Sequence, residues 1–353
     1  MSGGVDSSVA ASLLKDRGYE VVGATMRIWK GEECQRGPYR CCGAADVEDA
    51  RRVAQQIGIP FYVVNLAEEF EREVIQYFCE EYRRGKTPNP CILCNERMKF
   101  GSLLKKAQEL EANYLATGHY ARIEFDQNTR RYLLKKGVDL RKDQSYVLFS
   151  LTQEQLHFAL FPLGDYRKEE VRQRAFQGGL RIHDKPESQE VCFIHESSYH
   201  SFLAEKLKKS IESGPILDKK GKTLGRHKGI PFYTIGQRRG LRLATGRPLY
   251  VIEIDREKNA IVVGEEEEVY GDLFIVDSVN WITSPGLSSS ISAQVKIRYN
   301  HPGAEATLFK KGEDKVEVRF KAPQKAITPG QAAVFYEGDA VLGGGWIKEV
   351  VRS

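Results

Sequence analysis

No run within these 353 residues approaches the ~20 consecutive apolar residues that a bilayer-spanning helix needs. A helical membrane protein is therefore excluded, and no membrane partner is expected. A secretory leader pattern is missing too, so a cytoplasmic protein is expected, or one of an organelle interior if a leader has been removed. The lysine-bearing phosphate loop G-x-x-x-x-G-K-[ST] does not occur, which excludes NTPases of that type. No internal repeat is evident, and no histidine joins a cysteine pair at zinc-site spacing. One further absence concerns the start. In a doubly wound fold a strand precedes the first glycine-rich loop, yet only Met1 precedes it here. Either the start lies upstream or that strand is lost, and a lost central strand would expose sheet edges.

Cysteine is confined to the first 192 residues, at Cys34, Cys41, Cys42, Cys79, Cys91, Cys94 and Cys192. An odd count in a chain without a secretory leader argues against a disulfide framework and for catalytic or metal-binding thiols. The chain is long for one core, so two or three domains are expected. The expected division is 1–197, 198–267 and 268–353.

What is present begins at the first residues. Ser2-Gly3-Gly4-Val5-Asp6-Ser7-Ser8 leads into an apolar run at helical spacing (Val9 and Leu13, Ala10 and Leu14) closed by Gly18. Paired glycines let the backbone turn its amides inward. The following helix aims its positive end at the same point. Inward amides capped by a helix start form an anion nest, which suits the pyrophosphate of a nucleotide. The loop resembles the S-G-G-x-D-S loop of the ATP pyrophosphatase (PP-loop) superfamily, whose members activate a carbonyl by adenylation.

The first part then alternates. Helices are expected at Ser7–Arg17, Asp46–Ile57, Glu68–Arg84 and Asn95–Leu110, and strands at Glu20–Ile28, Phe61–Leu66 and Tyr114–Thr117. That order implies an α/β fold with a parallel sheet and ligands beyond the strand carboxyl ends. Arg122–Lys136 reads as a hairpin turning at Asp126-Gln127-Asn128. After about Ile194 short alternating strands take over, at Leu249–Asp255, Ala260–Val263, Ser292–Arg298, Val316–Phe320 and Ala332–Tyr336, which predicts a small C-terminal β-barrel. Glu265–Glu268 reads as a solvated turn. From Leu217 to Arg247 nine Lys/Arg face one acid, Asp218, a balance of +8 against +5 for the whole chain. With Phe232 and Tyr233 inside it, the stretch reads as a nucleic-acid surface, or more plainly as a solvated loop region.

Thr87-Pro88-Asn89-Pro90-Cys91-Ile92-Leu93-Cys94-Asn95 is the second strong feature. Two prolines hold the loop extended. Cys94 is expected just before a helix starting near Asn95, where the helix dipole favours the thiolate. The C-x-x-C spacing alone leaves redox pair, metal site and coincidence open.

Together with the nest, a set of motifs in order along nearly the whole chain resembles the tRNA-specific 2-thiouridylases. These are Asn89-Pro90-Cys91 to Cys94-Asn95, Lys99-Phe100-Gly101, Ala116-Thr117-Gly118-His119-Tyr120, Lys142-Asp143-Gln144-Ser145-Tyr146, Ser188 to Cys192-Phe193-Ile194, Thr234-Ile235-Gly236-Gln237-Arg238 and Pro329-Gly330-Gln331. The resemblance implies sulfur insertion at the 2-position of the wobble uridine, with adenylation by ATP and Mg²⁺ followed by displacement of AMP by a persulfide sulfur. It implies Cys192 as persulfide carrier and Cys94 as the nucleophile that helps release the sulfur. It implies ATP contacts at Ser2, Gly3, Gly4, Val5, Asp6, Ser7, Ser8, Met26 and Gly118, with Asp6 ordering the loop or holding the metal. Asn89, Pro90 and Cys91 would face the target base, and His119, Lys142, Asp143, Gln144, Arg298, Tyr299 and Gln331 the tRNA. A persulfide donor such as a cysteine desulfurase or sulfur-relay protein is the implied partner.

Some members of that family carry Asp where this chain has Cys91. With Cys94 and Cys192 it makes three thiolates able to ligate a 4Fe–4S cluster with one iron open; otherwise Cys91 stands beside the base. Cys41-Cys42 with Cys91 and Cys94 could instead hold a structural zinc. Cys79 reads as core and Cys34 as an exposed loop residue. His119 reads alternatively as a satisfied sheet-end histidine, and Lys142-Asp143-Gln144 as a plain turn. Two other functions stay open: an adenylating PP-loop ligase acting on a small molecule, and a catalytically inactive tRNA-binding homologue.

Overall fold

The computed structural model describes residues 1–29, 44–186, 191–194, 199–207 and 211–351. The expectations for Cys34, Cys41, Cys42 and Ser188 fall outside the described residues. The chain groups into two compact units. One comprises Met1–Ile75, Pro90–Glu196 and Asp339–Val341, the other Gln76–Asn89, Ser197–Gly338 and Leu342–Ser353.

In the first unit the opening helix runs over Val5–Asp16. Its residues Val5, Val9, Ala10 and Leu13 recur at helical spacing and are buried against Val53, Leu163, Val171, Ala175, Leu180 and Ile182. The helices Ala44–Ile57 and Lys168–Gln177 supply Val53, Val171 and Ala175 to that core. Strand Gly23–Arg27 pairs in parallel with Phe61–Asn65, Gly23 opposite Phe61. The helix between them is the crossover that parallel pairing requires. A second parallel pair joins Leu115–Ala116 to Ala159–Leu160. The hairpin forms as expected, Ala121–Asp126 against Arg131–Lys136, its turn held by Asn128 N–H on Asp126 Oδ1 at 2.9 Å.

In the second unit four strands, Gly214–Leu217, Thr223–His227, Tyr250–Asp255 and Ala260–Gly264, form one sheet in the spatial order second, first, fourth, third. Their core is Ile216, Ile230, Tyr233, Leu241, Leu249, Val251, Ile261 and Val263, with Phe232 packed on it. This corrects the reading of the basic stretch in one respect: its aromatics turn inward. All nine of its Lys and Arg residues are exposed, so charge without aromatic stacking makes up its surface.

Six further strands, Tyr270–Trp281, Ile291–Lys296, Ala304–Lys310, Val316–Lys325, Ala332–Glu337 and Ala340–Val351, close into a barrel. Closure is visible in Tyr270–Trp281, which pairs antiparallel with both Val316–Lys325 and Ala340–Val351. Alternate residues fill the interior, among them Phe274, Val276, Val295, Leu308, Val318 and Phe335. The same unit holds the helix Tyr77–Arg83, whose Phe78 and Tyr82 rings pack on Phe202 and Tyr199; Cys79 is buried beside them, as its sequence position predicts.

Candidate active site

The glycine-rich loop ends at Gly4, the N-cap of the opening helix, and no side chain caps that helix. Its first-turn amides are thus left to solvent or to a ligand. Gly3 takes a positive φ of 73°, and a Cβ there would lie 2.3 Å from the Asp46 carbonyl, so only glycine fits. Hydroxyls brace the loop. Ser2 N–H donates to Ser7 Oγ at 3.0 Å, and the Ser7 and Ser8 hydroxyls donate to the Gly4 carbonyl at 3.3 and 2.9 Å. Val5 and Ser8 are buried. Behind the loop, Lys185 Nζ donates to the Gly3 carbonyl at 3.0 Å and to Asp46 and Asp49 at 2.6 and 2.9 Å. Burial pulls the Lys185 ammonium down, but the two carboxylates outweigh it and hold the group above its ordinary range.

Asp6 is already engaged. Lys168 Nζ donates to its two oxygens at 2.7 and 2.8 Å, and Tyr120 OH donates to Oδ1 at 2.8 Å. These bonds tie the first helical turn to Lys168 and Tyr120. Neither Lys168 nor Lys185 was picked out from sequence. Lys168 comes from a helix 162 residues away in the chain, and nothing local to it announces the contact.

Of the two other predicted ATP contacts, Gly118 meets this loop. Gly118 packs edge-on against the helix start, where a Cβ would stand 2.8 Å from both the Asp6 carbonyl carbon and the Ser7 nitrogen. Met26 is half-buried on Gly23–Arg27, opposite Val64. Met1 runs beside that strand, its amino group on the Ala24 carbonyl and its carbonyl accepting from Thr25 Oγ1.

His119 follows Gly118 and is buried. Burial first, then the Lys99 charge, pushes it well below the usual imidazole range, so it is neutral at pH 7. Lys99 Nζ lies 3.4 Å from Nε2 and 2.8 Å from Asn95 Oδ1. An ammonium only donates, so Nε2 accepts and the ring proton sits on Nδ1, donating to Thr117 Oγ1 at 2.8 Å. The satisfied-histidine reading thus describes its bonding.

The thiol segment departs from expectation. The helix begins at Pro90, four residues before Cys94, and widens into π-helical turns over Cys94–Leu103. Proline suits a first helical position because its missing N–H has no partner to lose. Gln155 Nε2 satisfies the Glu96 and Phe100 carbonyls at 3.1 and 2.8 Å, as the widened ladder requires. Cys94 is therefore inside a helix, not ahead of one. Burial pushes its thiol up, with Lys99 opposing, so the dipole-favoured thiolate is corrected to a thiol whose nearby cation limits the rise. Cys91 is exposed, and Cys94 and Cys192 are half-buried. Pro90 is buried and Asn89 half-buried. Phe193, next to Cys192, stacks edge-on against Phe70 at 5.8 Å. Among the described residues no three His, Cys, Asp or Glu side chains converge as a metal-binding group, so Cys91, Cys94 and Cys192 do not form a cluster cradle as placed.

The remaining positions divide by what they bond. Asp143 is buried and folds its own turn, accepting from Gly137 N–H, Ser145 N–H and Ser145 Oγ at 3.2, 3.1 and 2.9 Å. Gln144 Oε1 accepts from Tyr120 N–H at 3.0 Å. Lys142 is half-buried on the same turn. In the other unit Arg298 and Tyr299 are exposed, Arg298 donating to the Lys325 carbonyl at 3.1 Å. Gln331 Nε2 donates to the Thr87 carbonyl at 2.7 Å.

Three family models cover the chain. Residues 1–196 match one described as tRNA methyl transferase HUP domain, 200–265 the tRNA methyl transferase PRC-barrel domain, and 271–347 the aminomethyltransferase beta-barrel domain. The tRNA-specific 2-thiouridylase MnmA 1 of Caldanaerobacter subterraneus subsp. tengcongensis is 52% identical over 354 residues, covering 100% of this chain and 97% of its own. The tRNA-specific 2-thiouridylase MnmA of Symbiobacterium thermophilum is 52% identical over 357 residues (100% and 92%), and that of Clostridioides difficile 50% over 349 (99% and 97%). With PP-loop geometry at its amino end, two barrels after it and such likeness from end to end, the chain belongs to the tRNA-specific 2-thiouridylase family.

Proposed function

We propose that this chain replaces the 2-oxygen of the wobble uridine of tRNA with sulfur. The uncapped helix start behind Gly3-Gly4 is the observation that carries the reading, because it offers amides and a positive dipole end to a triphosphate. The uracil C2 oxygen attacks the α-phosphorus of ATP and pyrophosphate leaves. An oxide, a poor leaving group, thereby becomes the departing phosphate of AMP. Ser2–Ser8, Met26 and Gly118 hold the nucleotide. Mg²⁺ bound with ATP neutralises charge on the pyrophosphate. Lys168 keeps Asp6 in place, and with it the first helical turn.

Cys192 carries a sulfane sulfur received from a persulfide donor such as a cysteine desulfurase or sulfur-relay protein. Its terminal sulfur attacks C2 and AMP departs. The Cys94 thiolate then attacks Cys192 Sγ, which frees the thiolated base and leaves a Cys94–Cys192 disulfide for a cellular thiol to reduce. No step runs through an iron–sulfur cluster. Asn89, Pro90 and Cys91 face the extruded base. His119, Lys142, Asp143, Gln144, Arg298, Tyr299 and Gln331 serve the tRNA, Asp143 and Gln331 through the backbone they hold. The middle domain and the C-terminal barrel hold the tRNA while the first domain does the chemistry. The reaction takes place in the cytoplasm; no helix among the described residues is long and apolar enough to cross a membrane.

The test is anaerobic purification with iron and sulfide assay, then incubation with ATP, Mg²⁺, a persulfide donor and unmodified wobble-uridine tRNA. AMP, pyrophosphate and 2-thiouridine in equal amounts, without iron, are expected. Iron with sulfide at one cluster per chain would overturn the persulfide route, and no thiolated tRNA would overturn the reading.

A further inference from the structure

Lys185 Nζ reaches three acceptors at once: the Gly3 carbonyl at 3.0 Å, Asp46 Oδ1 at 2.6 Å and Asp49 Oδ2 at 2.9 Å. An ammonium has three N–H donors, and these acceptors account for all of them. Lys185 is therefore not placed to donate to a phosphate, and what it does for the loop it does through Gly3. The peptide between Gly3 and Gly4 has glycine on both sides, so no Cβ opposes its rotation. The chain on either side is held by other means. The Asp46 carbonyl packs against Gly3, and the Ser7 and Ser8 hydroxyls hold the Gly4 carbonyl at 3.3 and 2.9 Å. Between those points the bond from Lys185 fixes the peptide plane. The peptide is trans, so its carbonyl and its N–H point opposite ways. A carbonyl drawn back to Lys185 turns the Gly4 N–H away from Lys185.

We propose that Lys185 is a positioning residue of the nucleotide loop: its bond to the Gly3 carbonyl fixes the Gly3–Gly4 peptide with the Gly4 N–H turned toward the pyrophosphate part of bound ATP. The inference rests on the function proposed above and adds a residue which that function does not use. With methionine at this position the plane is free to turn. A turned plane sets the Gly3 carbonyl, an acceptor, where the phosphates need a donor. AMP has no β- or γ-phosphate to meet that N–H, so the effect is confined to ligands that bring pyrophosphate. Loss of the cation would by itself weaken the binding of any anion, because Asp46 and Asp49 stay behind. Lys185→Met combined with Asp49→Asn keeps the net charge of the three side chains at that of wild type and still lacks the bond to Gly3.

The experiment is equilibrium titration of the full chain with ATP and Mg²⁺, with AMP and with inorganic pyrophosphate. Lys185→Met and the charge-matched variant are both expected to bind ATP and pyrophosphate about tenfold more weakly, the worth of one hydrogen bond to a charged group. Their Kd for AMP is expected to stay within about twofold of wild type. A merely structural ion pair would not move ATP against AMP. Wild-type ATP affinity in Lys185→Met overturns the positioning role. Recovery of ATP affinity in the charge-matched variant overturns it too, since charge alone would then explain the loss. An AMP Kd that rises in step with that for ATP also overturns it, because the whole site would then be damaged. If Lys185→Met does not fold, the charge-matched variant, which leaves no additional unpaired carboxylate, carries the same comparison. Wild type that binds ATP and thiolates tRNA leaves these outcomes to decide Lys185 alone. Wild type that binds no ATP overturns the function proposed above, and this inference with it.

Discussion

The Gln331 amide donates to the Thr87 carbonyl at 2.7 Å, across 244 residues of sequence. Thr87 N–H in turn donates to the Pro329 carbonyl at 3.0 Å, and Gly330 lies so close that a Cβ would stand 2.8 Å from Lys86 Cβ. The Pro329-Gly330-Gln331 turn is thus a clamp on the backbone two residues before Asn89. Gly330 adopts φ of 91°, which a side chain resists.

Gln331→Ala leaves the Thr87 carbonyl short of a partner. The expected cost is about 1 kcal/mol, or roughly 2–4 °C of Tm for a domain of this size. A direct tRNA contact alone would instead raise the tRNA Kd and leave Tm where it is. Gly330→Ala adds strain and crowding and is expected to cost more, about 2 kcal/mol. Thermal denaturation and filter binding of both variants decide it: an unchanged Tm in Gln331→Ala removes the clamp.

Replacement of the sulfur-handling thiols acts differently. Cys94→Ser and Cys192→Ser each remove one step of sulfur transfer and neither touches a phosphate contact. Thiolation is expected to vanish in both, with tRNA binding preserved. Cys192→Ser should still release pyrophosphate but not AMP, because adenylation precedes the attack of sulfur that displaces AMP. Single-turnover assays with separate readouts for pyrophosphate, AMP and 2-thiouridine check this, and thiolation that persists in both variants removes the proposed roles.

The thiol of Cys94 also sets a pH dependence. Burial raises its pKa and Lys99 opposes the rise. Only the thiolate attacks, so below that raised pKa the sulfur-release step should quicken about tenfold per pH unit. Lys99→Met removes the opposing cation and lifts the pKa further. The rate at pH 7 then falls, and the ascending limb of the pH profile moves to the alkaline side, while Lys99→Arg restores it in part. A Lys99→Met profile that coincides with wild type would show that the cation does not govern the thiol. Folding carries the same sign: a raised thiol pKa means stability is full below the ordinary thiol value and declines as pH climbs toward the folded one.

How far the sequence could be read follows from how local each feature is. The nest was legible because its chemistry is contiguous: two glycines, hydroxyls and a helix start within seven residues. Hairpin and crossover helices were legible for the same reason, with turn residues beside the strands they join. Three barrel strands, Tyr270–Trp281, Ala304–Lys310 and Ala340–Val351, gave no usable pattern, since glycine, lysine and asparagine interrupt their alternation and pairing partners lie up to about 80 residues away. The Cys94 helix start was placed too late because Pro90 reads first as a loop residue, although proline also suits a first helical position. Lys168, Lys185 and Tyr120 meet the loop only through contacts that no window along the chain contains.

Lys168 gives the sharpest remaining test, because its charge is buried and its partner is not. Its side chain is 7% exposed and that of Asp6 34%. Lys168→Met keeps the length of the stem, removes the cation, and leaves the Asp6 carboxylate with Tyr120 OH. Truncating one side of a fully buried pair costs several kcal/mol, and with Asp6 partly solvated the expected loss is about 2 kcal/mol. AMP formation should fall by a larger factor than stability alone explains, since an unanchored Asp6 lets the first helical turn drift from the phosphates. Lys168→Met combined with Asp6→Asn removes the unpaired charge, so Tm should recover while AMP formation stays low. Recovery of both in the double variant would mean that the pair serves folding only. Recovery of neither would mean that the ammonium itself, and not the bond to Asp6, is what the loop needs.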